Sequence, residues 1–160
     1  MLTQNYINAS LYFADGIDTV SSAFRNTNGD FSSDSRARKS DICKAWVSSF
    51  FTNQLPSYLN SHKSTIWIGN GSGDFNGYSL RNTVSTFTAS SPSVSTTLVD
   101  GVSKRIAVLT FLWTGSDDTI TEVGMVAGDN LDAFLMAYEE LKTPISVKNG
   151  DTFTVSMTLG

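Results

Sequence analysis

Two hydrophobic periods divide the chain. Before about residue 60, apolar positions recur at helical spacing where they recur at all; beyond residue 65 they alternate with polar ones. Residues 1–24 scatter Leu2, Tyr6, Ile7, Leu11, Tyr12, Phe13, Ile17 and Val20 with no clean period of either kind. That pattern predicts an extended arm or short strand, packed on its own domain or on a neighbouring subunit. Residues 25–39 are polar and carry the turn signal Asn28-Gly29, so they read as a loop or linker. A helix then starts at Ser40 or Asp41, whose side chain can accept from free first-turn N–H groups. Its apolar stripe is Ile42, Ala45, Trp46 and Phe50, widened by Val47 and Phe51, and Pro56 should end or kink it near Leu55.

From there the two-residue period predicts strands. Thr65-Ile66-Trp67-Ile68 is stopped by Gly69-Asn70-Gly71-Ser72-Gly73, and residues 83–88 and 94–99 follow as short Thr/Val-rich strands around Ser-Ser-Pro. Asp100-Gly101 reads as a hairpin turn. Residues 106–113 form the strongest strand, apolar on both faces and therefore central in its sheet. Residues 115–118 make a turn, and 120–127, 133–138, 145–147 and 153–159 read as further strands, with Asn149-Gly150-Asp151 as another hairpin signal. The expected fold is mainly β: an antiparallel β-sandwich or partly closed barrel with one N-terminal amphipathic helix. Residues 1–40 read as arm and linker, and 41–160 as one β-rich domain with a leading helix.

Composition changes the picture in two respects. Charged residues are 16% of 160, well below the usual share of about 25%, and Ser, Thr, Asn and Gly fill the gap. Such a weakly charged surface is common where protein meets protein, or where strands predominate over charged helices. Eleven basic against fifteen acidic residues leave a net charge of −4, so the clustered cations of a nucleic-acid binder are missing. The one basic cluster, Arg36, Arg38 and Lys39, reads as a solvated or subunit-contacting turn. No stretch approaches the ~20 apolar residues of a membrane-crossing helix. The first twenty residues contain Asp15 and Asp18 without a basic leader, which predicts synthesis without an export signal. A single cysteine, Cys43, permits no internal disulfide and no cysteine-based zinc cluster, and it sits among Ile42, Ala45 and Trp46 as a buried small hydrophobe.

Candidate chemistry is thin. The glycine run 69–73 has neither the Lys-Ser/Thr nor the helix start of a phosphate loop, and Asp74 would repel an anion. The only histidine, His62, lies beside Ser61 and Lys63 without a nucleophile-elbow pattern and reads as exposed. Asp117-Asp118, Asp129 with Asp132, and Glu139-Glu140 fit no calcium loop. They read as solvated turns, although paired carboxylates at the right separation could serve glycoside hydrolysis. Trp46, Trp67 and Trp113 occupy periodic apolar positions and read as core. Phe75 and Tyr78, in the glycine-rich loop, are the one aromatic pair suited to a glycan-binding face. No catalytic, cofactor-binding or metal-ligating residue is assigned.

The order of segments carries more than any motif alone. After the helix come Ile66-Trp67-Ile68-Gly69-Asn70-Gly71 and Ser79-Leu80-Arg81-Asn82-Thr83-Val84. Later come Ile120-Thr121-Glu122-Val123-Gly124-Met125-Val126, Leu135-Met136-Ala137-Tyr138, and the run 143–155 containing Val147-Lys148-Asn149-Gly150-Asp151-Thr152-Phe153-Thr154-Val155. This series resembles a broad group of tailed-bacteriophage virion proteins, including the N-terminal modules of tail-collar fibre proteins. The resemblance covers about residues 41–160 and leaves 1–40 unmatched. Trp67 and Asn70 stand where the group has smaller or acidic residues, and Asp129-Asn130-Leu131-Asp132 is a different version of its turn.

The resemblance implies a non-enzymatic structural component of a phage particle: a tail, collar or baseplate adaptor or a capsid decoration subunit. Its partners would be other virion proteins and copies of itself, with no nucleic acid, membrane or cofactor. With no receptor-binding domain after residue 160, the expectation is a piece smaller than a long fibre. A carbohydrate-binding host-adsorption module is the alternative.

Overall fold

The change of period near residue 65 is where helices give way to strands. A computed structural model describes residues 1–15, 24–29, 36–88, 90–128 and 133–159. Among these residues three helices come first: α1 (Gln4–Asp15), α2 (Arg36–Phe51) and α3 (Leu55–Ser61). Seven strands follow: β1 (Ile66–Gly69), β2 (Thr83–Phe87), β3 (Ser90–Val99), β4 (Val102–Leu112), β5 (Asp118–Ala127), β6 (Phe134–Val147) and β7 (Thr152–Leu159). They form two antiparallel sheets, ordered β2-β1-β5-β6 and β3-β4-β7, the layers of a β-sandwich and not a closed barrel.

The N-terminal segment is the largest departure from the sequence reading. Its first residues are a helix and not an extended arm. Tyr6 and Ala9 lie on the buried face of α1, and Tyr6 meets Trp46 and Phe50 edge-on at 6.0 and 5.7 Å. Ahead of α1, Leu2 bridges to Ala137, the Thr3 N–H donates to the Met136 carbonyl, and the Tyr138 N–H donates to the Met1 carbonyl. These residues therefore pack on their own domain, sharing the core of 41–160. A segment whose partner lies 130 residues away shows no period that local inspection can detect.

Helix α2 begins ahead of Ser40, so Arg36, Arg38 and Lys39 lie in a helical turn, their side chains outside the described set. Its buried stripe is Cys43, Trp46, Val47 and Phe50; Ala45 is exposed and Phe51 is 52% exposed. The stripe is thus rotated from the expected one, because α1 and the sheet cover different sides of the helix. Asn53, at a left-handed φ of 60°, ends α2 before Pro56, which instead opens α3 in its first turn.

Among the strands, Asp100 and Gly101 turn the β3–β4 hairpin with φ 53° and 75°, as the sequence predicts for a type I′ turn. β4 is central, but its outer side is open: Ala107, Leu109 and Phe111 are buried and Leu112 is 52% exposed. Burial on both faces belongs to β5 and the start of β6. The segments 133–138 and 145–147 are one long strand, with Pro144 tolerated because β6 stands at a sheet edge. The turn at Gly150 is no hairpin: β6 pairs with β5 and β7 with β4, so it carries the chain between sheets.

The main core lies between the sheets and continues under α1 and α2. A second, smaller core sits on the other face of the four-stranded sheet. Leu80, Val126, Ala133, Leu135 and Tyr138 gather there with Trp67 and Phe75. The loop that folds back between β1 and β2 covers this face and brings the functional candidates together.

Candidate functional site

At the centre of that second core stands a carboxylate. Glu122 on β5 has no exposed surface. A buried, ionised carboxylate is costly unless each oxygen is answered by donors. Here Oε1 accepts from the N–H groups of Gly71 (3.2 Å) and Asn82 (3.1 Å). Oε2 accepts from Arg81 Nε (3.0 Å) and the Tyr138 hydroxyl (3.1 Å). Burial alone would raise the Glu122 carboxyl, but these donors outweigh it and hold the group below the usual carboxylate range. Burial, then the neighbouring Glu122 charge, pushes Tyr138 up to about 12. Arg81 also donates to Glu140 Oε1 at 3.1 Å and to the Gly73 carbonyl at 2.6 Å, so one guanidinium ties two strands to the loop.

The glycines are required by this approach. A Cβ on Gly69 would lie 2.5 Å from Glu122 Oε1, and one on Gly71 would lie 2.7 Å from the Asn82 nitrogen. The loop is stapled again by Asn70, which donates to Asp118 Oδ1 (2.9 Å) and accepts from Asn82 Nδ2 (2.6 Å), and by Thr121, whose hydroxyl donates to the Gly71 carbonyl. On the apolar side, Gly124 leaves room for Leu80 and Leu135, which a Cβ would meet at 2.7 and 2.6 Å. Phe75 stacks on Tyr138 with ring centres 3.9 Å apart. Four separated stretches of sequence therefore meet at one point: 66–71, 79–84, 120–126 and 135–138.

With both oxygens occupied by two donors each, Glu122 has its acceptor positions filled. The arrangement fixes a loop on a sheet and leaves the carboxylate no free position to take a proton from a bound molecule. Glu122 and Glu140 are opposite partners in the β5–β6 register, a facing pair of acids, but the Arg81 guanidinium bonds to both.

The other candidates scatter. His62 is half-buried, not fully exposed; its ring stacks on Tyr58 at 3.9 Å, and both His62 Nδ1 and Ser61 Oγ lie within hydrogen-bond distance of the Tyr58 carbonyl. Asp118 holds Asn70, Asp117 is exposed, Glu139 lies beside the Met1 nitrogen, and Asp129 and Asp132 fall outside the described residues. Cys43 is buried, and burial pushes its thiol up. Trp46 and Trp113 are buried and Trp67 half-buried, all three in the cores. Tyr78 is half-buried, with the Arg25 guanidinium 5.6 Å from its ring centre. Among the described residues no group of three or more His, Cys, Asp or Glu gathers as a metal site, and no helix is long and apolar enough to cross a membrane.

The Glu122 cluster itself is missed by reading motifs one at a time. Its signal is the single charged residue of the largely apolar stretch 120–127, which once buried requires a cation or other donors elsewhere in the chain. No family model, curated protein or solved structure matches the chain.

Proposed function

We propose that this chain is a non-enzymatic structural subunit of a tailed-phage particle, a tail, collar or baseplate adaptor or a capsid decoration protein. It works through contacts with other virion proteins and with copies of itself. One observation carries the reading: segments that resemble the virion group along the sequence converge on Glu122 as one interlocked unit. Of the five stretches that carry the resemblance, four form this single packed device, and the fifth, 143–155, runs from β6 into β7. The site's chemistry agrees, since its polar groups are spent on one another. Residues 1–3 are bound along β6, and Tyr6 and Ala9 sit in the core, so that part of the segment is used within its own fold. In this reading the protein is made in the host cytoplasm and ends in the virion.

The test is quantitative mass spectrometry of purified particles of the encoding phage. Presence at a fixed, symmetric copy number is expected; absence from washed particles refutes the proposal.

A host-glycan role is favoured by one feature, an open cleft of about 380 Å³ lined by Gln4, Asn5, Arg25, Asn76, Gly77 and Tyr78. Against it, the Phe75 ring is stacked on Tyr138 and most of the lining amides are engaged within the protein. Glycan-array binding that is lost in Tyr78→Ala would support that second reading.

A further inference from the structure

Four strands stand at sheet edges, and the sequence blunts three of them. Exposed edges invite pairing with other chains, and proteins prevent it with short strands, charges, prolines, bulges or a covering segment. β2 is five residues long with a register shift beside it. β3 carries Pro92 and a register shift between Ser90 and Ser93, and α3 packs against it. β6 is covered at 136–138 by residues 1–3, and beyond them it carries Glu139, Glu140, Lys142 and Pro144. Among the described residues β7 has none of these devices. It runs eight residues, Thr152–Leu159, without a charge or a proline. Among the described residues it pairs with β4 alone.

We infer that the free edge of β7 is a self-association surface, where a second copy of this chain adds its own β7 antiparallel to form one six-stranded sheet. Three features of the strand select a second copy as the occupant. The first is charge: the chain carries a net −4, yet nothing charged lies on this strand, so two copies meet there without repulsion. The second is self-complementarity. An antiparallel pair about a dyad perpendicular to the sheet places residues of equal parity opposite each other, apolar against apolar and hydroxyl against hydroxyl. With the dyad at Val155, Phe153 faces Met157 on the inner side, and Thr154 faces Ser156 on the outer. With the dyad at Ser156, Thr154 faces Thr158. Thr152, Thr154, Ser156 and Thr158 are all exposed, so either register continues a row of hydroxyls.

The third feature is an unfinished apolar seam beside the edge. Leu141 and Ile145 of β6 and Phe153 and Val155 of β7 line a small cleft on this side of the sandwich, with Ile145 40% exposed and the other three half-buried. A strand added to β7 lays its inner residues against that seam. The pairing closes roughly six to eight backbone hydrogen bonds. Its area falls below the ~1,600 Å² of a standard interface, so the dimer is expected to depend on concentration.

This inference rests on the reading that the chain works by contact with copies of itself, and it names the surface. Sedimentation equilibrium over a concentration series tests it on the full chain. We expect a monomer–dimer equilibrium that Thr154→Lys with Ser156→Lys weakens at least tenfold by setting like charges opposite each other, with an unchanged thermal melt. Thr154→Cys with Ser156→Cys should give a disulfide-linked dimer under mild oxidation, Cys43 being buried. A chain that stays monomeric throughout, or a dimer that survives the lysine pair and fails to cross-link, overturns the inference. Either result leaves particle incorporation to be decided separately by mass spectrometry, so the two proposals fail independently.

Discussion

At the residue scale, Glu122 and Arg81 are a nearly dry ion pair with side-chain exposures of 0% and 8%. Removing one partner strands the other, which typically costs about 3–5 kcal/mol. Glu122→Ala should therefore lower the urea-unfolding free energy by that order. Tyr138→Phe, which removes one donor, should cost about 1–2 kcal/mol. The sign of the pH effect follows from the shifts. A carboxyl held below its unfolded value stabilises fully above that value and loses the contribution as pH falls through the folded one. Stability should thus decline on acidification below about 4.5, and Glu122→Gln should flatten that decline. Tyr138, raised from 10.0 to about 12, works in the opposite direction: its contribution is present below 10 and is lost between 10 and 12. Denaturation followed across pH checks both limbs. Gly71→Ala, forced against the Asn82 backbone, should cost about 1–3 kcal/mol.

At the element scale, the sheets and helices are joined by a few cross-ties. Arg105 on β4 donates to the Phe50 carbonyl at the end of α2 and lies 4.6 Å from the Phe50 ring centre. It thereby satisfies an otherwise unpaired terminal carbonyl and sets a cation at the negative end of the helix. Arg105→Met keeps the apolar stem and should cost about 1–3 kcal/mol by thermal or urea unfolding, through loss of its charged hydrogen bonds to the Phe50 and Phe51 carbonyls. Trp46 stacks on Phe50 with ring centres 5.9 Å apart and is fully buried. Trp46→Ala should cost about 3–5 kcal/mol.

At the scale of the whole molecule, the N-terminal residues and the strands share one core. Tyr6, Ala9 and Phe24 belong to the same cluster as Trp46, Leu109 and Met136. A fragment beginning at residue 41 loses the cover of α1 over α2 and β6. We expect that fragment to bind a hydrophobic dye and to unfold without a sharp transition, while the full chain melts cooperatively. A fragment that melts as sharply as the full chain would show that 1–40 are dispensable to the fold. The binding surfaces belong to this scale as well. Under the proposed self-association, the short β2, the Pro92-bearing β3 and the covered β6 leave β7 as the edge where a second copy would pair.

The sequence by itself determined the strand-rich architecture, the position of most strands, the Asp100-Gly101 turn and the burial of Trp46, Trp113 and Cys43. Each follows from a local rule: two-residue alternation, a turn that demands left-handed backbone, or an apolar stripe at helical spacing. Only the tertiary structure decided that residues 4–15 are a helix, that β5 and not β4 is buried on both faces, and that Glu122 is a buried anchor and not a surface acid. Those outcomes depend on partners far along the chain. Met136 and Ala137 receive residues 1–3, the 70–82 loop covers the back of β5, and Arg81 lies 41 positions from the carboxylate it neutralises. Local pattern records how a residue's own neighbourhood repeats; what covers a face is set by where the chain returns.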